Sequence, residues 1–373
     1  MMDLCAECFD FFRSRILRLT MKFEWARPLF YNRSLRLAFL FLLSCTTSLP
    51  LALFFPLWLL LFGPLVYGVP HIASSLRYFH HSARAGEKDD SRTRTLAFVA
   101  AGVILVGVFV HRLLLTQSVF NISVPQLSEW KGSTYIDLIA LSVTFALGAW
   151  IYRKSLSQLI AGTLFITPLA VAFWFKPMET IGAMVLIHNF VAFVYWIRST
   201  RSRSEKRVAW SAFAITLGVS AAIFLGVFDP LYSAFHHFEP RLALTVAQLT
   251  AEDTGRLIAP WWQGADSFWL HACSVYAFGQ ALHYFVWLKA IPDQFHTHDV
   301  PTTFRQSLKL LSEDFGRTVS IALVLISAGS IVIWSFMSLQ EARMIYFCLA
   351  GYHGYLEIAG LALSLRAPAP RYR

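Results

Sequence analysis

His353 and Glu357 stand four residues apart in the stretch GYHGYLEIAG, inside an apolar run that begins near Met344 and ends near Leu365. On a helix, residues i and i+4 share a face. A carboxylate in hydrocarbon is rare and costly, and by default it marks function. Glu357 can ligate a metal or accept a hydrogen bond from a ligating imidazole. It can equally be a paired or snorkelling side chain. Three more histidines lie well inside apolar runs: His71 in GPLVYGVPHIASS, His188 in MVLIHNFVAFVYW and His283 in FGQALHYFVWLK. Imidazole suits iron, copper, zinc and manganese. Neutral imidazole also tolerates a low dielectric better than a charged group. Several imidazoles around an iron with an open position make a place for oxygen. The alternative for any single one is a hydrogen bond that packs two helices together.

Other side chains share these faces. Gln280 is three residues before His283 and is expected to orient its ring, as a cofactor-binding residue together with Asn189. Tyr284 and Tyr352 are the candidate catalytic partners of Glu357, and Tyr195, Tyr276 and Tyr355 could line the same pocket. Gly63, Gly68 and Pro70 flank His71, and Pro70 predicts a kink that opens space at that level. The remaining eight of the 12 histidines fall at helix ends or in loops.

Whether the four imidazoles meet depends on the helices that carry them. A spanning helix needs about 20 mostly apolar residues. Ten runs are candidates, near 36–48, 52–79, 96–115, 135–152, 156–175, 179–198, 208–228, 266–290, 318–338 and 342–365; the first is short, the break near Ser48-Leu49-Pro50 is the least defined, and one long helix over 36–63 would change the count. With the N-terminus inside, the outer segments keep only Arg112, Lys131, Lys176, Arg241, Arg256 and Arg343 of the 32 Lys and Arg. That asymmetry predicts both termini cytoplasmic. The four histidines then sit on the second, sixth, eighth and tenth helices. Each lies about 6–12 residues from a cytoplasmic end, roughly 9–18 Å at 1.5 Å per residue. One layer of the bundle could hold them all.

The composition agrees with a membrane protein. The 373 residues are 56% hydrophobic and 14% charged, with a mean hydropathy of +0.53. Soluble domains carry about 25% charged residues. The net charge of +10 sits between apolar runs, where it sets topology and implies no nucleic-acid partner. The expected organisation is a cytoplasmic segment 1–35, a single all-α transmembrane bundle 36–366 and a tail 367–373. Residues 1–35 carry no secretory signal and could form an interfacial amphipathic helix. An outer loop at 229–265 is expected to fold as a cap with a short helix at 241–252. An inner loop at 291–317 carries an amphipathic surface helix in RQSLKLLSEDF. The five cysteines form no disulfide framework, and Cys5 and Cys8 make only a lone CxxC. No phosphate loop, nucleophile elbow or dinucleotide fingerprint is present, so no nucleotide cofactor is expected.

GVPHIASS at 68–75, followed by LIHNF, ALHYF and GYHGYLE on later helices, resembles the Brp/Blh family of membrane carotenoid-cleaving dioxygenases. His71 matches that family's G-hydrophobe-P-H motif. His188, His283 and His353 match as later intramembrane histidines. The resemblance implies a non-haem iron and oxygen-dependent cleavage of a carotenoid to retinal. The family pattern has an acidic residue soon after its first histidine, where this chain has Ser74 and Ser75, and an HxxxH pair that this chain lacks.

The expected function is a membrane oxidoreductase, a dioxygenase using Fe(II), acting on a carotenoid, isoprenoid or lipid in a bacterial cytoplasmic membrane. Two alternatives use the same residues. One is a transporter or proton relay. The other is a non-catalytic subunit with membrane protein partners. Bis-histidine haem is less well matched, because only the eighth helix carries two histidines.

Overall fold

The computed structural model of the chain describes residues 2–84, 100, 103–104, 106–108, 110, 136, 138–147, 149, 156–238, 245–246, 249–258, 267–295, 300–335 and 353–362. Those residues are almost entirely helical. The elements are α1 (Met2–Thr20), α2 (Pro28–Tyr31), α3 (Arg33–Phe54), α4 (Pro56–Arg84), α5 (Leu156–Phe175), α6 (Pro177–Ser199), α7 (Arg203–Phe224), α8 (Asp229–Phe238) and α9 (Ala251–Ile258). They continue with α10 (Ser267–Phe285), a π-helical turn (Val286–Ala290), α11 (Ile291–Gln294), α12 (Phe304–Phe315) and α13 (Arg317–Ser335). A last helix, α14, covers 353–362.

Four described helices are long and apolar enough to cross a membrane: α3, α4 over Pro56–Phe79, α6 over Glu179–Ser199, and α7. Shorter apolar helices cover Leu138–Leu147, Leu159–Phe175 and Arg317–Ser327. The expected third span lies largely outside the described residues, as do parts of the fourth and tenth. The first two spans divide differently from expectation. α3 runs through Pro50 to Phe54, and the break falls at Phe55 (φ −136°, ψ 51°). Pro56 forces this, because a residue before proline is pushed out of the helical region. Pro50 removes only one backbone donor and is accommodated inside the helix.

The expected helix at 241–252 is also corrected. Thr245–Val246 and Leu249–Thr250 form a two-rung antiparallel ladder, and the helix is α9, beginning at Ala251. β-branched Thr and Val favour the extended segment. The amphipathic helix expected after residue 300 is α12. A reciprocal Thr303/Gln306 capping box starts it, and Gly316 at φ 81° ends it.

α10 is the axle of the bundle. SFWLHACSVYAFGQALHYF is apolar on every side, the pattern of a helix surrounded by protein. It packs against α3, α4, α6, α7 and α9 and is buried along nearly its whole length. Lipid-type side chains lie on the outer faces instead, with Leu42, Phe62, Ile160, Leu164 and Trp174 exposed. The charged end of the bundle is tied by ion pairs between helices. Asp293 meets Arg36 at 2.7 Å and Lys289 at 3.3 Å, and Asp314 of α12 meets Arg77 of α4. α1 docks on α12, where Asp10 accepts the free N–H groups of Phe304 (2.8 Å) and Arg305 (3.1 Å).

Candidate metal centre

Three helices that are distant in sequence bring three imidazoles together. α4 supplies His71, α10 supplies His283 and α14 supplies His353. Their ligand nitrogens lie within 4.8 Å of one another, and all three residues are buried. Ring centroids are 4.6 Å apart for His71 and His353, 5.3 Å for His71 and His283, and 6.0 Å for His283 and His353. His188 on α6 stands beside this set, its ring 5.0 Å from that of His283. The four histidines do therefore lie in one layer, with three in the inner group and His188 at its edge.

Glu357 is one helical turn beyond His353 and is fully buried. Its Oε1 lies 2.7 Å from His353 Nε2 and 3.7 Å from His283 Nε2. The tautomers follow from the neighbours. The Tyr67 carbonyl lies 3.1 Å from His71 Nδ1, and the Val185 carbonyl lies 2.7 Å from His188 Nδ1. A carbonyl only accepts, so each of these nitrogens carries the hydrogen and leaves Nε2 as a lone pair. The Ser75 hydroxyl lies 2.9 Å from the Ile72 carbonyl and 3.0 Å from His353 Nδ1. Its one hydrogen can go to either neighbour: given to Ile72, it leaves Ser75 accepting from His353 Nδ1 and Nε2 bare; given to Nδ1, it puts the ring hydrogen on Nε2, facing Glu357.

A bare Nε2 facing a carboxylate oxygen at 2.7 Å places two lone pairs against each other. A cation, either a proton or a metal, relieves this. The Trp287 side chain approaches the Glu357 carboxylate and the Asn189 backbone approaches His283, but among the described residues no contact of the Glu357 oxygens or the His283 nitrogens closes to full hydrogen-bond geometry. Buried groups of this kind are costly when left unmade. Nitrogen lone pairs and a carboxylate around one point form a donor set suited to a divalent transition metal. At metal–nitrogen distances of about 2.0–2.1 Å, ligand atoms sit roughly 3–4 Å apart, so small side-chain movements close the site.

The surrounding residues divide into those expected and those not. Tyr284 packs its ring on His71 at 4.8 Å. Gln280 departs from its expected partner: its amide donates to the Tyr284 hydroxyl at 2.9 Å rather than to His283. The two are i and i+4 on α10, so that bond forms within one turn. Asn189 is buried, its amide N–H directed to the Val185 carbonyl at 3.3 Å. Tyr352 lies outside the described residues.

Sequence reasoning missed Ser74, Ser75 and the main-chain role of Tyr195. Ser74 donates to the carbonyl of Trp287 at 2.5 Å, inside the π turn that follows His283. Tyr195 donates to the carbonyl of Glu357 at 2.6 Å. The only signal for the serines was their place beside His71, where the resembled family has an acid.

Comparison of the chain with protein-family models, with curated proteins and with solved structures gives no match.

Proposed function

We propose that this chain is an integral membrane, metal-dependent oxidoreductase of the oxygenase type, acting on an apolar substrate such as a carotenoid, isoprenoid or lipid. The observation that carries this reading is the buried convergence of His71, His283 and His353, with the Glu357 carboxylate beside His353 and His283. The bundle has ten spans in this reading, with both termini on the cytoplasmic side of a bacterial inner membrane. The lopsided Lys and Arg distribution supports that topology.

Iron(II) would be held by His71, His283 and His353, with Glu357 and His188 adjoining; when bound it would supply oxygen activation. The chain's own residues do the rest. Glu357 offsets the metal's charge in a region that excludes water. Backbone carbonyls and Ser75 hold the imidazole hydrogens away from the metal. Tyr284 and the aromatic side chains around it give an apolar molecule its packing surface.

Metal content by mass spectrometry tests the reading on detergent-purified wild type beside His71→Ala and His353→Ala. Stoichiometric iron lost in both variants, with oxygen-dependent consumption of an apolar polyene by wild type alone, is the expected result. Wild type without any bound transition metal sinks it. A second reading, a proton relay, draws on the contacts of Glu357 with His353 and His283 at 2.7 and 3.7 Å. Proton flux into proteoliposomes that stops in Glu357→Gln would favour that reading over oxygenation.

A further inference from the structure

We propose that Ser75 is a positioning residue that fixes the tautomer of His353, taking the place of the carboxylate that would commonly hold a ligating histidine. This inference rests on the metal-site reading above. Ser75 is fully buried on α4, one turn beyond His71. Its hydroxyl lies 2.9 Å from the carbonyl of Ile72 and 3.0 Å from His353 Nδ1. With a metal on Nε2 the neutral ring carries its hydrogen on Nδ1, so the Ser75 oxygen accepts that hydrogen and the hydroxyl hydrogen goes to the Ile72 carbonyl. The imidazole hydrogen is held on Nδ1, and Nε2 turns to Glu357 at 2.7 Å. Outer partners of this kind orient the ring and raise its basicity, and their loss typically costs about 10–100-fold in metal affinity.

A neutral hydroxyl also suits this place. His353 already has one buried carboxylate beside it in Glu357, and a second would add uncompensated charge in a low dielectric. The adjacent Ser74 acts on the third helix. It binds the Trp287 carbonyl in the π turn, four residues after His283. π-helical turns expose carbonyls that a regular helix would use. Two consecutive serines on α4 therefore fasten α14 and α10 to the helix that carries His71.

The arrangement Ser75–His353–Glu357 also resembles a nucleophile, base and acid in a row. The Ser75 oxygen is as close to the Ile72 carbonyl (2.9 Å) as to the imidazole (3.0 Å), so chemical reactivity of the hydroxyl separates the two roles. A reactive serine would direct its hydrogen to the ring.

The test uses cobalt(II) as the probe, in the full-length protein in detergent, with affinity read by chelator competition and geometry by the cobalt d–d spectrum. Ser75→Ala should bind cobalt about 10–100-fold more weakly with an altered spectrum, and Ser75→Thr, which keeps the hydroxyl, should restore both. If Ser75→Ala does not fold, Ser75→Cys against Ser75→Thr asks the same question, because a thiol is a weak acceptor of similar size. Wild-type affinity and spectrum in the Ala or Cys variant would overturn the proposal while leaving the metal site standing. Absence of cobalt binding by wild type would instead remove the site reading beneath it. Labelling of Ser75 by a fluorophosphonate would overturn the positioning role in favour of a nucleophile.

Discussion

The centre of the site is a contact between His353 Nε2 and Glu357 Oε1 at 2.7 Å, with both atoms out of reach of water. Such a pair needs either a hydrogen on Nε2 or a metal between the two atoms. A carboxamide in place of the carboxylate keeps the size but removes the charge. Glu357→Gln should therefore lower metal affinity by about 10–100-fold, measured by competition with a chromophoric chelator. Unchanged affinity would mean that the three imidazoles bind without it. His188 differs from the other three in being only half-buried and outside the inner group. His188→Ala should retain more metal than His353→Ala under identical purification, and equal loss would place His188 among the primary ligands.

At the scale of the helix, the site depends on how closely α14 approaches α4 and α6. Gly360 lies at that crossing. A methyl group there would run into the Phe79 ring and come to 2.8 Å from the Tyr195 hydroxyl. Tyr195 also holds the backbone of Glu357, so the same contact that limits Gly360 also positions the carboxylate. Gly360→Ala should cost about 1–3 kcal/mol through overpacking, read as a lower melting temperature in detergent, and should weaken metal binding at the same time. Loss of stability with unaltered metal affinity would separate α14 docking from site assembly. Gly63 works more gently on α4, since a methyl there would lie 3.1 Å from the edge of Tyr284.

For the molecule as a whole, the charged end of the bundle holds the helices in register. Burial by itself would push the Asp293 carboxyl up, but Lys289 and Arg36 outweigh it and hold the group below the ordinary carboxylate range. Asp314 is similar: burial pushes upward, and the His81 hydrogen bond and the Arg77 charge more than reverse it. A carboxyl held lower in the folded state than its unfolded value of about 3.9 adds stability at higher pH, and that contribution is lost as pH falls through the folded value. Thermal stability in detergent should stay level from neutral pH down to about 4 and fall below it. Asp293→Asn should be less stable at neutral pH and show a shallower acid decline. An identical acid decline in that variant would assign the effect to other groups.

Much of this protein is determined by its sequence alone. Apolar runs of about 20 residues between short charged gaps match helices, which satisfy their own backbone in an apolar medium. The interior placement of His71, His188, His283 and His353 was legible for the same reason, and so was the shared face of His353 and Glu357. Proline positions were readable less well. The rule that breaks the helix at Phe55 is local, but Pro50 and Pro56 both offered it. Only the tertiary structure decided which imidazoles form the inner group, since that depends on helix rotation and crossing, which no linear spacing encodes. It also decided that Gln280 turns to Tyr284 and that Ser75 holds His353. Ser75 and His353 are 278 residues apart in the chain. A hydroxyl that far away carries no sign of its partner until the helices pack.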